Sequence, residues 1–312
     1  MKEFLSVAIC VIVSLVLLAI TTRYLSGTWV FATIQSLQLH LTIASAAALF
    51  LALLLKRSRL PFGLLLVALS LLAHALWMSR EYTHSAGTED VLDHKLKLLS
   101  FNILMTNFEG AQSIRDLILS SGVDVVNIME AEPLQPHLQE LSKIYPYRIG
   151  CGEMTKHCDL MMLSKLPLVD RTIASLSDVF AERMMVAKLT FEGQPFHLVA
   201  LHTTKPYFDS FQTLELQNAA QLLDGLPGPV ILSGDFNAST LARNVRTFLA
   251  STGLRSAPRE PATWPTRAGW AGVAIDHVFV RPPLAIASLQ RLPDALGSNH
   301  YGLVTEITFP KN

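Results

Sequence analysis

Val230-Ile231-Leu232-Ser233-Gly234-Asp235-Phe236-Asn237-Ala238 follows the turn Pro227-Gly228-Pro229. An apolar run of this length after a Pro/Gly turn predicts a short buried strand that stops at Gly234. Asp235 and Asn237 then stand at the strand end, two residues apart, and share one side while the chain stays extended. A carboxylate and an amide fixed at a strand mouth suit a site that polarises water and holds an anion. Gly-Asp-Phe-Asn alone reads equally well as a strand closed by an Asx turn. The neighbouring segments decide between the two.

The same arrangement recurs along the chain. Leu98-Leu99-Ser100-Phe101 ends in Asn102, Asp124–Met129 ends in Glu130, and His197–Leu201 ends in His202. Asp276 lies in Ala274-Ile275-Asp276-His277-Val278-Phe279, and Ser298-Asn299-His300 precedes the last apolar run. One polar residue at a strand end is ordinary; six such junctions built from Asn, Glu, His and Asp point to a shared site. Period-2 and period-3.6 patterning predicts strands at Leu96–Phe101, Asp124–Met129, Leu160–Leu163, Val169–Ser175, Arg183–Phe191, Phe196–Leu201, Val230–Ser233, Ile275–Val280, Ala285–Leu289 and Gly302–Phe309. It predicts helices at Ala111–Ser121, Leu134–Ile144, Phe208–Leu223 and Leu241–Ala250. Strands followed by short helices, with strand pairs in the middle, predict two mixed sheets packed face to face and helices outside.

The ordered set Ser100-Phe101-Asn102, Glu130, Leu163-Ser164-Lys165-Leu166-Pro167, Leu201-His202-Thr203, Gly234-Asp235-Phe236-Asn237, Ile275-Asp276-His277 and Ser298-Asn299-His300 resembles the endonuclease/exonuclease/phosphatase family, the deoxyribonuclease I-like proteins. Trp264-Pro265-Thr266 also sits where bacterial members often carry a similar run. The likeness covers about 94–312. It implies a four-layer α/β/β/α sandwich and metal-dependent hydrolysis of a phosphoester.

A phosphodiester repels nucleophiles by its charge, so a catalyst has to neutralise it and aim a water in line. Glu130 offers a hard oxygen ligand of the kind Mg²⁺ takes, Mn²⁺ and Ca²⁺ being alternatives. Asn102 would support the metal or orient the phosphate. Asp235 would position or deprotonate the water, and Asn237 would hydrogen-bond a phosphoryl oxygen. Asp276 would fix the tautomer of His300 and favour its charged form. The resemblance implies that His300 faces the phosphate opposite the leaving group, and that His202 serves as general acid or phosphate donor. His94, His137, His157, His197 and His277 are read as structural. The family usually has Ser-Asp-His where this chain has Ser298-Asn299-His300. That Asp often helps bind metal, so the neutral Asn299 is expected in the ligand set with a lower affinity.

The chain has 312 residues, equal numbers of acidic and basic residues, 50% hydrophobic residues and a mean hydropathy of +0.36. The hydrophobic excess lies at the N-terminus. Phe4–Thr22, Tyr24–Leu55 (densest from Leu37) and Leu60–Ser79 carry no charge, and each is long enough to cross a hydrocarbon core of ~30 Å. We read residues 1–80 as a three-helix membrane anchor in contact with the bilayer through 4–79, 81–93 as a linker, and 94–312 as the catalytic domain. No Ala-x-Ala site follows the first run, which favours an anchor over a cleaved signal peptide. Single histidines at 40 and 74 suit interfacial hydrogen bonds. Lys56-Arg57-Ser58-Arg59 is the only basic cluster near the spans and would be cytoplasmic. The domain is then expected outside the cytoplasm, on a multi-pass protein of the inner membrane. Cys151 and Cys158, seven apart in a polar stretch, would pair in an oxidising compartment; a metal site with His157 is the competing reading.

Residues 91–312 hold 19 Lys and Arg against 21 Asp and Glu. That balance argues against tight nucleic-acid binding, although Lys205, Arg243 and Arg246 could form a local basic groove. The expected function is phosphodiester hydrolysis at the membrane, of a lipid-like substrate or of nucleic acid. The alternative, prompted by Asn299, is a non-catalytic binding protein on the same scaffold.

Overall fold

The computed structural model describes residues 1–84, 94–207 and 209–311. Its helices are α1 (Lys2–Thr21), α2 (Ala32–Ser36), α3 (Gln38–Leu55), α4 (Arg59–Glu81), α5 (Ala111–Ser120), α6 (Leu138–Leu141), α7 (Phe211–Asp224) and α8 (Arg243–Thr252). The strands are β1 (Leu96–Asn102), β2 (Val125–Met129), β3 (Tyr147–Gly150), β4 (Leu160–Ser164), β5 (Val169–Ala174), β6 (Met184–Phe191), β7 (Gln194–His202), β8 (Val230–Asp235), β9 (Asp276–Val280), β10 (Ala285–Arg291) and β11 (Leu303–Thr308).

The strands form a six-stranded sheet, β10-β11-β1-β2-β4-β3, and a five-stranded sheet, β5-β6-β7-β8-β9. Each sheet is antiparallel except for one central parallel pair, β1 with β2 and β7 with β8. Leu96, Leu98, Val125, Leu198, Ile231 and Val278 belong to the core between the sheets. On the outer face of the first sheet Leu99, Phe101 and Val126 pack with Ile114 and Ile118 of α5. On the other side Val199, Leu201 and Leu232 pack with Leu216, Leu223, Phe248 and Leu249 of α7 and α8. The result is the expected four-layer α/β/β/α sandwich.

Two regions depart from the sequence reading. Leu134–Ile144 is not one helix: a 3₁₀ segment, Glu132–His137, precedes the single turn of α6. Pro136 removes a helical donor and crowds the preceding turn, which tightens that part to 3₁₀ geometry. The other is β3, which the sequence reading left unassigned. It is a four-residue edge strand containing Arg148, too short and too polar to show a period.

The helices α1, α3 and α4 are long and apolar enough to cross a membrane. They pack on one another through Cys10, Val13, Leu17, Leu49, Ala52 and Ala68. Lys56 pairs with Glu3 at 3.0 Å, so the basic turn 56–59 and the start of α1 lie together at one end. The α/β sandwich meets the other end. Ser239 binds Ser36 through both its amide and its hydroxyl, and the Arg243 amide donates to Gln35. Arg246 donates to the Met78 carbonyl at 3.0 Å and pairs with Glu81. The Arg246 guanidinium is thus engaged by the helix bundle, which corrects its reading as a groove cation, whereas that of Arg243 is exposed and donates to the Arg23 carbonyl at 3.3 Å. Of the expected linker 81–93, Glu81 still belongs to α4 and Thr83 bridges to Ser256; residues 85–93 lie outside the described part. Cys151 and Cys158 form a disulfide, so their thiolates are not available to a metal site with His157.

Candidate active site

Strand alternation builds the site. Along β1, β7, β8 and β9 the residues that face the other sheet include Leu98, Leu198, Ile231 and Val278. Continuing by twos from these reaches Asn102, His202, Asp235 and Asp276. Register aligns the ends: His202 lies opposite Asp235, and Asp235 opposite Asp276. The parallel pair β1 and β2 brings Asn102 beside Met129, with Glu130 next in the chain. One rim of the inter-sheet space therefore collects side chains from the ends of five strands. His277, one residue out of phase, turns to the helix side, where it binds Glu260 at 2.7 Å and the Ala238 carbonyl at 2.9 Å.

Asn102 ties the two sheets together. Its amide donates to Glu130 at 3.2 Å and to Asp235 at 2.9 Å. The second Glu130 oxygen accepts from the Met105 amide at 2.7 Å. Glu130 has φ 54°, a conformation uncommon for such a residue and a form of strain that collects at functional sites. Asn237 shares that backbone region at φ 49°, and its amide N–H donates to Asp235 at 2.8 Å. The Asx turn and the site are thus the same structure. The Asn237 side chain donates to the Thr203 carbonyl at 2.9 Å, which fixes it beside His202. Gly234 is required by close approach, since a Cβ there would lie 1.7 Å from the Leu201 carbonyl oxygen.

Two imidazoles flank Asp235. His300 Nε2 is 3.8 Å from Asp235 Oδ2, and its Nδ1 is 2.8 Å from Asp276. His202 Nε2 is 3.9 Å from the same Asp235 oxygen, and its Nδ1 is 2.9 Å from Asp159. Asp159 also pairs with Arg183 at 3.0 Å. Burial and the neighbouring Asp276 raise the Asp235 pKa, against the pull of both histidines. Burial lowers the pKa of His300, but Asp276 and Asp235 outweigh it and lift it to about 9. Burial likewise opposes ionisation of Asp159, yet His202 and Arg183 hold its pKa at about 2. Glu130, His202, Thr203 and Asn237 line a cleft of about 370 Å³ together with Phe180, Arg183 and Lys205.

Asn102, Glu130, His202, Asp235, Asn237, Asp276 and His300 converge here; Asn299 is exposed, between the buried Ser298 and His300. Sequence reasoning missed Asp159 and Arg183. The signal was available in reverse: each immediately precedes an antiparallel strand, as Asp276 precedes His277. The donor set fits a hard divalent cation, being rich in carboxylate and amide oxygen. Ligand atoms of Asp235, Asp276 and His300 lie within 4.8 Å of one another, and Asp276 Oδ1 is buried without a hydrogen-bond partner.

A family model described as "Endonuclease/Exonuclease/phosphatase family" matches residues 99–300, the segment that carries every one of these side chains. The chain belongs to the endonuclease/exonuclease/phosphatase family. Solved members of similar shape include TDP2 from D. rerio complexed with a single-strand DNA product, at 20% identity, covering 69% of this chain and 99% of that one, TM-score 0.57. A family protein from Bacteroides thetaiotaomicron follows at 16% identity, 69% and 95% coverage and TM-score 0.56. A Staphylococcus aureus beta toxin mutant with bound magnesium ions has 15% identity, 70% and 100% coverage and TM-score 0.51. At these identities the likeness is one of fold. No curated protein matched the sequence.

Proposed function

We propose that this family member is a membrane-anchored hydrolase that cleaves a phosphodiester outside the cytoplasm with the aid of a divalent cation. The observation that carries the reading is the single rim on which Asn102, Glu130, His202, Asp235, Asn237, Asp276 and His300 meet. Glu130 and Asn102 would hold the cation, with Asn299 on the exposed loop as the third candidate; when bound, it would offset the negative charge of the phosphoryl group. Mg²⁺ suits the oxygen donors, and the magnesium ions in the beta toxin mutant support a divalent metal.

Each side chain then has a task. Asp235, its proton affinity raised by burial, accepts a proton from the attacking water. His300, charged near neutrality and oriented by Asp276, donates toward a phosphoryl oxygen, as does the Asn237 amide. His202, held by Asp159 and Arg183, stands at the other flank to serve the leaving oxygen. Outward placement of the sandwich is supported by its position at the end of the bundle away from Lys56–Arg59. Asn299 is exposed and leaves the buried set intact, which favours catalysis over a binding role. The test is hydrolysis of bis-p-nitrophenyl phosphate by the detergent-purified full chain with Mg²⁺, lost in excess chelator and in Asp235→Asn. A rate that persists in chelator, or in Asp235→Asn, rejects the site.

A further inference from the structure

We infer that the active site is held at lipid-headgroup height, and that its substrate is a phosphodiester lipid lying in the same leaflet; this rests on the phosphoesterase reading above. The sandwich does not hang from the bundle by the linker alone. Ser239, two residues beyond Asn237, makes two hydrogen bonds to Ser36, and Ser36 lies two residues before the start of α3. Two residues of chain span at most about 8 Å. Asn237 therefore lies on the order of 20 Å or less from the start of a membrane-length helix.

Four more contacts hold that distance. Arg23, at the end of α1, donates to the Leu241 carbonyl at 3.2 Å, and Gln35 accepts from the Arg243 amide at 2.9 Å. Arg246 reaches both Met78 and Glu81 of α4. His40, in the first turn of α3, lies 3.1 and 3.2 Å from the carbonyls of Ala271 and Gly272. All three apolar helices thus contact the segments just after β8 or just before β9, the two strands that supply Asp235 and Asp276.

A lipid phosphate stands in the layer of roughly 5–8 Å outside the hydrocarbon. Two features fit the sandwich to that layer. Trp270 is 89% exposed and sits next to Ala271, beside His40; an indole of this kind is suited to the membrane interface. A groove of about 420 Å³ runs along the junction, with Leu39, His40 and Ser79 on the helix side and Ser239, Trp270 and Gly272 on the sandwich side. Nucleic acid finds less to hold, because Arg246 is committed to the junction. In the reaction, the water oxygen bonds to phosphorus, one phosphorus–oxygen ester bond breaks, and the departing oxygen takes up a proton.

The test uses the full chain reconstituted in phosphatidylethanolamine and phosphatidylglycerol vesicles with Mg²⁺. Lipid hydrolysis is measured beside hydrolysis of bis-p-nitrophenyl phosphate and single-stranded DNA. We expect lipid cleavage, and a loss of about ten-fold or more in that rate for both Gln35→Ala/Ser36→Ala and Arg246→Ala, because a small misplacement of a site is costly. Their rates on the soluble diester should be unchanged, which also shows that they fold. Variants that cleave lipid as fast as the parent overturn the inference, as does cleavage of DNA with the lipid untouched. Failure of the parent on every substrate would instead bring down the phosphoesterase reading, and this inference with it.

Discussion

Asp235 is the residue on which the site turns, since one of its oxygens meets Asn102 and faces both imidazoles. Asp235→Asn keeps the shape and removes the base, so turnover should fall roughly 10²–10⁴-fold, as seen by steady-state assay of the purified protein. Glu130→Gln should leave the fold intact and raise the Mg²⁺ concentration needed for half-maximal rate; an unchanged Mg²⁺ titration would remove Glu130 from the ligand set. Asp159 offers a separate check on stability. Its folded pKa of about 2 lies below the ordinary value of 3.8. The depressed value means that its contribution, about 2 kcal/mol, is present above pH 4 and is lost as pH falls through 2. Asp159→Asn should therefore flatten the acid end of a denaturation-midpoint profile measured from pH 5 to 2. If variant and parent curves stay parallel, the Asp159–His202–Arg183 cluster is not holding that proton off.

At the scale of elements, the parallel strands β7 and β8 approach so closely that only glycine fits at 234. Gly234→Ala should cost at least the upper end of the ~1–3 kcal/mol typical of overpacking, read from thermal or urea unfolding. A stable alanine variant would mean that the two strands can separate without disturbing His202 and Asp235. The short loop between β3 and β4 carries the disulfide Cys151–Cys158. Closing a loop of this size should stabilise by about 2–3 kcal/mol. Thiol labelling of the denatured, unreduced protein should find Cys10 alone, and two further labelled cysteines would contradict the pairing.

For the whole molecule, the basic turn Lys56–Arg59 and the sandwich occupy opposite ends of the helix bundle. Alkaline phosphatase fused after Asp93 should be active and a cytoplasmic reporter at the same point silent; the reverse pattern would invert the topology. Under the lipid-substrate inference, that orientation would also decide which leaflet supplies the substrate.

Much of this was fixed by local pattern. Apolar runs along Leu98–Phe101, Leu198–Leu201 and Val230–Leu232 mark strands buried on both faces, and Asn102, His202 and Asp235 mark their ends, because a strand covered on both sides keeps few polar residues until it leaves the core. Uncharged runs of helical length mark the spans for an equally local reason: no backbone crosses hydrocarbon without satisfying its own hydrogen bonds. What local pattern does not carry is partnership between distant segments. Asp159 reads as a loop charge, and Arg183 as the first residue of a strand, until β4 and β6 bring them together beside His202. Arg246 reads as a free cation until the end of α4 engages it through Met78 and Glu81. Ser36 and Ser239 are unremarkable in sequence, being small polar residues 203 positions apart. Their bond is set by the packing of an apolar helix bundle against the outer layer of a sandwich, and tertiary structure alone decides how far the site stands from the ends of those helices.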